Sequence, residues 1–243
     1  MSPVRFSGED ETAMQTATQL YKPEAMIFDM DGTLFQTETV LLPAYHKMFD
    51  VLRAEGLYTG ETPPEERILG SLGMLLEEIW KVVMPEADEQ VRNRANDLLL
   101  EIQLEVLKGG EGLLYPDVKE TLETLRERGV RLFVASNGLE GYVKGVSDAL
   151  GIAPLFEAQY SAGEYQTATK VLLVERLLKT YGISSAWMVG DRSSDVQAGR
   201  GNGLGVIGCA YADFGANHEL EGSDVQITKF GQLIELYDQA PTA

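Results

Sequence analysis

The sequence predicts an α/β fold, a Rossmann-like parallel sheet with helices on both faces, into which an all-α cap domain is inserted. Three observations predict it. From about residue 113 onward, short uncharged apolar runs alternate with helical stripes, and such βα alternation builds a parallel sheet covered on both sides. One further run, Ala25-Met26-Ile27-Phe28, stands far upstream of the others. The segment between them, roughly 75 residues, is too long for a structureless loop and carries helical spacing throughout.

Taken in order, Ala25 to Phe28 ends in Asp29 and the turn residues Asp31-Gly32-Thr33, the pattern of a buried strand emerging into a loop. Leu41, Leu42, Tyr45, Met48, Phe49 and Leu52 recur at helical spacing. After Thr62-Pro63-Pro64 a second stripe runs from Ile68 through Trp80 to Val83 and stops at Pro85, and a third runs from Val91 to Val106 before Gly109-Gly110. Past Pro116 a helix over Asp117 to Arg128 precedes the strand Leu132 to Ala135, and a helix through Val143, Val146 and Leu150 follows. Leu155 to Tyr160 reads as a weak strand, Val171 to Tyr181 as a helix and Ala186 to Val189 as a strong buried strand. A helix from near Ser193, strands at Gly205 to Ala210 and Val225 to Thr228, and a helix at Gly231 to Tyr237 complete the chain. The expected domains are an N-terminal extension over 1–23, a catalytic core from 24–36 and 113–243, and a helical cap over 37–112 that stands above the C-terminal end of the first strand.

Composition narrows the function classes. With 44% hydrophobic residues the 243-residue chain can bury a full core. Lys and Arg total 20 against 38 Asp and Glu, a formal charge of −18, which argues against nucleic acid and anionic membrane as partners. No apolar stretch approaches a membrane span, no secretory signal is read in the first 22 residues, and a single cysteine, Cys209, cannot form an intramolecular disulfide. A soluble, cytoplasmic monomer or weak homodimer is expected. Any phosphate site in so acidic a chain needs local positive charge from a metal, a lysine or backbone N–H groups.

In open α/β sheets ligands bind outside the carboxyl ends of the strands. Three such ends are polar: Asp29 with Asp31 and Thr33, then Ser136-Asn137, then Gly190-Asp191 with Asp195 one helical turn later. Converging carboxylates repel one another and raise their pKa values unless a cation intervenes. Hard oxygen ligands suit magnesium, which binds through one or two carboxylates and substrate phosphate. Lys170, at the start of a helix in the same series, is placed to pair with a carboxylate and a phosphate together.

Asp29-Met30-Asp31-Gly32-Thr33-Leu34 resembles the first motif of the haloacid dehalogenase-like hydrolase superfamily. Ser136-Asn137 resembles its second motif, Lys170 its third and Gly190-Asp191-Arg192-Ser193-Ser194-Asp195 its fourth, in matching order and spacing across residues 24 to 210. The stretch Tyr211 to Leu220 is also similar, and the insert resembles the helical cap of the phosphoglycolate phosphatase-like and β-phosphoglucomutase-like group. The resemblance implies a phosphatase acting on a small phosphorylated metabolite. Asp29 would be the nucleophile that forms an aspartyl phosphate, and Asp31 the acid and then the base. Mg2+ would be held by Asp29, the Asp31 carbonyl, Asp191 and Asp195, while Thr33, Ser136, Asn137 and Lys170 would surround the phosphoryl group. Two alternatives are carried: a sugar phosphomutase of the β-phosphoglucomutase type, decided by the cap, and a binding protein that has lost turnover.

Other signals read as structural. Gly203 to Gly208 enters a strand instead of opening a helix, so it is no dinucleotide fingerprint, and there is no Gly-Lys-Ser/Thr phosphate loop. His46 and His218 have no partner at ligand spacing, Trp80 belongs to a helical core stripe, and Arg192 is expected to be solvated. Gly70-Ser71-Leu72-Gly73 is either a substrate-facing turn or a tolerated break.

Overall fold

Four apolar residues form strand β1, Ala25–Phe28, and all four are buried. The structure is a computed structural model that describes residues 20–242 apart from 73, 75 and 213–217. After β1 come four helices, α1 (Glu38–Ala54), α2 (Glu65–Leu69), α3 (Leu76–Val83) and α4 (Glu89–Lys108). The alternating part follows with α5 (Val118–Glu127), β2 (Arg131–Ser136), α6 (Glu140–Ala149), β3 (Ala158–Ser161), the short α7 (Ala162–Tyr165) and α8 (Lys170–Tyr181). It ends with β4 (Ala186–Gly190), α9 (Ser193–Gly201), β5 (Gly205–Cys209), β6 (Val225–Ile227) and α10 (Gln232–Gln239).

The six strands are parallel in the order β3-β2-β1-β4-β5-β6. Alternate residues of β1 serve opposite faces, as a strand requires. Met26 and Phe28 pack with Val118 and Leu122 of α5, Val143 of α6 and Leu233 of α10. Ala25 and Ile27 pack with Leu173, Val174 and Leu177 of α8 on the other side. Helices therefore cover both faces, and β1 lies centrally between β2 and β4.

The helices between β1 and the alternating part bury their stripes against one another. Tyr45 and Phe49 of α1, Ile68 of α2, Trp80 of α3 and Leu98 and Ile102 of α4 form a cluster of their own. Asp88 caps α4 by accepting the Val91 N–H at 2.9 Å, which satisfies a donor the helix end would leave open.

Two expected elements differ. The single stripe from Ile68 to Val83 is split into α2 and α3, because Gly70 is a poor helix former and the Ser71 hydroxyl turns back onto the Arg67 carbonyl at 2.6 Å. The weak strand begins at Ala158, not Leu155, since Pro154 lies in a 3-10 turn over Ala153–Leu155. Most of the expected N-terminal extension lies outside the described residues, as do 213–217 of the Tyr211 to Leu220 stretch. The last residues of that extension are tied to the core: the Tyr21 carbonyl accepts from the Trp187 indole at 3.0 Å and the Lys22 N–H donates to Pro241 at 2.9 Å. Among the described residues no helix is long and apolar enough to cross a membrane.

Candidate active site

The central position of β1 puts its carboxyl end beside those of β2 and β4, and the next residues of each strand meet there. Asp29 continues β1 by donating its N–H to the Val189 carbonyl at 2.9 Å. The chain then turns on Gly32, whose φ of +77° favours glycine, and a side chain at that position would overlap the Asp191 carboxylate. Gly190 has the same function toward Asp195, whose carboxylate occupies the space a Cβ would need. The glycines within the first and fourth motifs thus leave room for the Asp191 and Asp195 carboxylates beside Asp29.

Asp29, Asp191 and Asp195 are all buried, and one carboxylate oxygen from each lies within 4.8 Å of the others. Lys170, itself buried, donates to Asp29 Oδ1 and Asp195 Oδ1, both at 2.7 Å. The Thr169 hydroxyl caps α8 by accepting the Leu172 N–H, which starts the helix where its first side chain reaches the carboxylates. Burial depresses the Lys170 pKa, but Asp195 and Asp29 more than offset this and leave it raised. Asp191 is pushed well up by burial and then by the charges of Asp29 and Asp195. Burial also raises Asp195 against the opposing pull of Lys170.

Three carboxylates against one lysine leave an excess of buried negative charge. Hard oxygen donors this close together, buried with the Asp191 and Asp195 carboxyls raised first by that burial, fit a divalent cation. Thr33 lies behind this group: its hydroxyl donates to Asp191 Oδ1 at 3.1 Å, so it orients a carboxylate and does not wall the cavity described next. Tyr211 supports the same loop by donating to the Thr33 carbonyl at 2.7 Å.

Asp31 faces the same space from two residues further on. Its Oδ1 accepts from the Tyr142 hydroxyl at 2.5 Å and the Thr37 hydroxyl at 2.7 Å. Burial and then the Asp29 charge push its carboxyl up to about 6, and these two hydrogen bonds oppose the rise. Such a group can hold or release a proton near neutral pH. Asp29, Asp31, Ser136, Asn137 and Lys170 wall one end of a cavity, and residues of α1 to α4 wall the other.

Sequence reasoning missed Tyr142 and Thr37, which carry no motif. It also took Arg192 for a solvated residue, and this is corrected: Arg192 is buried, lies 3.6 Å from Asp191 and 3.8 Å from Glu219, and donates to the Leu69 carbonyl at the end of α2 at 3.2 Å. His46 is exposed beside Glu65, and Trp80 is core, donating to Asn96 at 3.3 Å.

Known proteins are similar to this chain in sequence and in fold. The chain is 30% identical to a phosphoglycolate phosphatase of Pasteurella multocida over 76% of its own length and 84% of the relative. It is 26% identical to a phosphoglycolate phosphatase of Aquifex aeolicus over 88% and 96%, respectively. The crystal structure of CbbY from Rhodobacter sphaeroides in complex with phosphate shares the fold with a TM-score of 0.75 at 21% identity, over 89% of this chain and 99% of that one. The family model of the haloacid dehalogenase-like hydrolases matches residues 23–203. The chain belongs to the haloacid dehalogenase-like hydrolase family.

Proposed function

We propose that this hydrolase is a magnesium-dependent phosphatase that cleaves a small phosphate monoester through an aspartyl phosphate on Asp29. The observation that carries the reading is the position of Lys170 between Asp29 and Asp195, with Asp191 beside them and Asp31 at about 6 facing the same cavity. A phosphate dianion approaching an aspartate meets strong repulsion, and phosphoryl transfer is mainly positioning and charge neutralisation. Magnesium would be held by Asp29, the Asp31 carbonyl and Asp191, with Asp195 directly or through a water, and supplies charge neutralisation.

In the first step an Asp29 oxygen attacks phosphorus, the ester P–O bond breaks, and Asp31 gives its proton to the departing alkoxide. In the second, water attacks the aspartyl phosphate, Asp31 takes the water's proton, and inorganic phosphate leaves with Asp29 restored. Ser136, Asn137 and Lys170 position the phosphoryl oxygens, and the helices over the cavity exclude water during the first step. The named relatives, phosphoglycolate phosphatases among them, support a small phosphorylated substrate.

The test is release of inorganic phosphate from a panel of phosphate esters with Mg2+ and with EDTA. Asp29→Asn should lower turnover on the order of 10⁴-fold or more, as loss of a nucleophile does, while mass spectrometry of acid-quenched wild type finds a phosphoryl group on the peptide holding Asp29. Equal release by wild type and Asp29→Asn would overturn the assignment.

A further inference from the structure

The wall of the cavity opposite the carboxylates is almost wholly apolar. Leu41 of α1, Ile68 of α2, Leu72 and Met74 of the turn after it, and Leu99 of α4 supply that wall, and Leu139 adds to it from the core. Two amides interrupt it, Asn96 and Gln103, both on α4. Gln103 is 6% exposed and its side chain has no hydrogen-bond partner among the described residues. A buried amide of this kind needs a partner from solvent or from a ligand. Asn96 accepts from the Trp80 indole through its oxygen, which leaves its NH₂ group as a donor.

Positive charge is what the wall lacks. Among the described residues lining the cavity, Lys170 is the one cation, and it is held by Asp29 and Asp195. The cations of the overlying helices point elsewhere. Lys47 pairs with Glu105, Arg53 with Asp50, Lys81 with Glu78 and Arg94 with Glu55, Arg92 donates to the Met84 and Pro85 carbonyls, and Arg67 and Lys108 are exposed and line no part of the cavity. The two positions of the turn after α2 that lie outside the described residues are Gly73 and Leu75, neither of them cationic. Arg192 is engaged by Asp191, Glu219 and the Leu69 carbonyl.

A carboxylate or a second phosphate carried into such a cavity would lose its water against aliphatic side chains and find no counter-charge. The net charge of −18 acts in the same direction. An aliphatic body with one hydroxyl or carbonyl would instead displace water from the leucines and satisfy Gln103 or Asn96.

We infer that the substrate is the phosphate monoester of an uncharged, mainly apolar alcohol, any hydrogen-bonding group of which meets Gln103 or Asn96, and not a phosphorylated acid or a bisphosphate. This rests on the phosphatase reading above and narrows it. The substrate class follows from what the cavity wall can solvate, and it departs from the substrate printed in the names of the phosphoglycolate phosphatase relatives.

The test compares kcat/KM for n-hexyl phosphate, for the same chain ending in a carboxylate, and for 2-phosphoglycolate, with p-nitrophenyl phosphate as a control for the chemical centre. The first two esters share a leaving group of nearly equal reactivity and differ only at the far end of the chain, where one carries a charged carboxylate. Wild type should prefer n-hexyl phosphate over both acids by about 10-fold or more. Gln103→Lys, which places a cation on that wall, should shift the ratio toward the acids by about 10-fold or more. The wild-type comparison decides by itself if that variant fails to fold. Equal or better turnover of either acid overturns the substrate class, and so does turnover of p-nitrophenyl phosphate without turnover of n-hexyl phosphate. Release from none of the four overturns the phosphatase reading itself.

Discussion

Replacing Asp31 with asparagine should destroy activity and stabilise the fold, with a pH dependence whose sign can be worked out. The carboxyl of Asp31 is raised from 3.8 to about 6, first by burial and then by the Asp29 charge. A group whose folded pKa exceeds its unfolded one binds its proton more tightly in the folded state. Its contribution to stability is therefore fully present below pH 3.8 and is lost as pH rises through about 6. At ~1.4 kcal/mol per pH unit, the interval amounts to about 3 kcal/mol as an order of magnitude. Asparagine has no charge to desolvate, and its carbonyl oxygen can accept the two hydrogen bonds now made by Tyr142 and Thr37. In EDTA at roughly pH 7.5 the variant should be the more stable by up to ~3 kcal/mol, or ~6–12 °C in Tm for a chain of this length. The gap should close near the lower end of the titration, and Mg2+ should narrow it by neutralising Asp29. Phosphate release should fall by about 10²–10⁴-fold. Thermal unfolding at several pH values decides the matter: a variant less stable than wild type near neutrality, or a gap indifferent to pH, would refute the reasoning.

Lys170→Met leaves Asp29 and Asp195 buried without their shared cation, and should cost about 3–5 kcal/mol in urea unfolding in EDTA. Tyr142→Phe removes a hydrogen bond that lowers the Asp31 pKa, so the corresponding limb of the kcat profile should move to higher pH by up to about one unit. An unmoved profile would detach Tyr142 from the proton transfer. Arg192→Gln loses the charged donor to the Leu69 carbonyl and should raise KM by about 10-fold or more, with kcat changed less, if that bond holds the helices over the cavity. Steady-state kinetics on one good substrate separates the two parameters.

The strands at the centre of the sheet were legible because β1, β2 and β4 are short runs buried on both faces, and a run with no polar face has few alternatives to a central parallel strand. Elements set by local backbone chemistry were less so. The helical period from Ile68 to Val83 continues through the break between α2 and α3, so periodicity alone does not reveal it. The break depends on Gly70 and on the Ser71 hydroxyl choosing a carbonyl one turn back, a competition that apolar spacing does not record. At β3, Pro154 displaced the start of a strand whose edge position gives it little apolar signal.

The same distinction separates the site residues. Asp29, Asp31, Lys170, Asp191 and Asp195 are charged groups at strand ends or helix starts, positions where charge is costly unless it is used, and that cost made them visible in sequence. Tyr142 is an ordinary residue of α6, and Thr37 an ordinary residue of the turn that opens α1. The importance of Tyr142 arises from folding, which brings α6 within hydrogen-bond reach of a loop 111 residues earlier in the chain, whereas Thr37 reaches Asp31 across the turn they share. Arg192 gives the sharper lesson. The sequence reading takes it as solvated, yet a guanidinium between Asp191, Glu219 and a carbonyl of the overlying helices offsets acidic charge that Lys170 alone does not balance. An excess of buried carboxylates at the carboxyl ends of the central strands thus constrains more than the metal it would hold: it commits the nearby cations to the catalytic end and leaves the opposite wall of the cavity to leucine, methionine and amides.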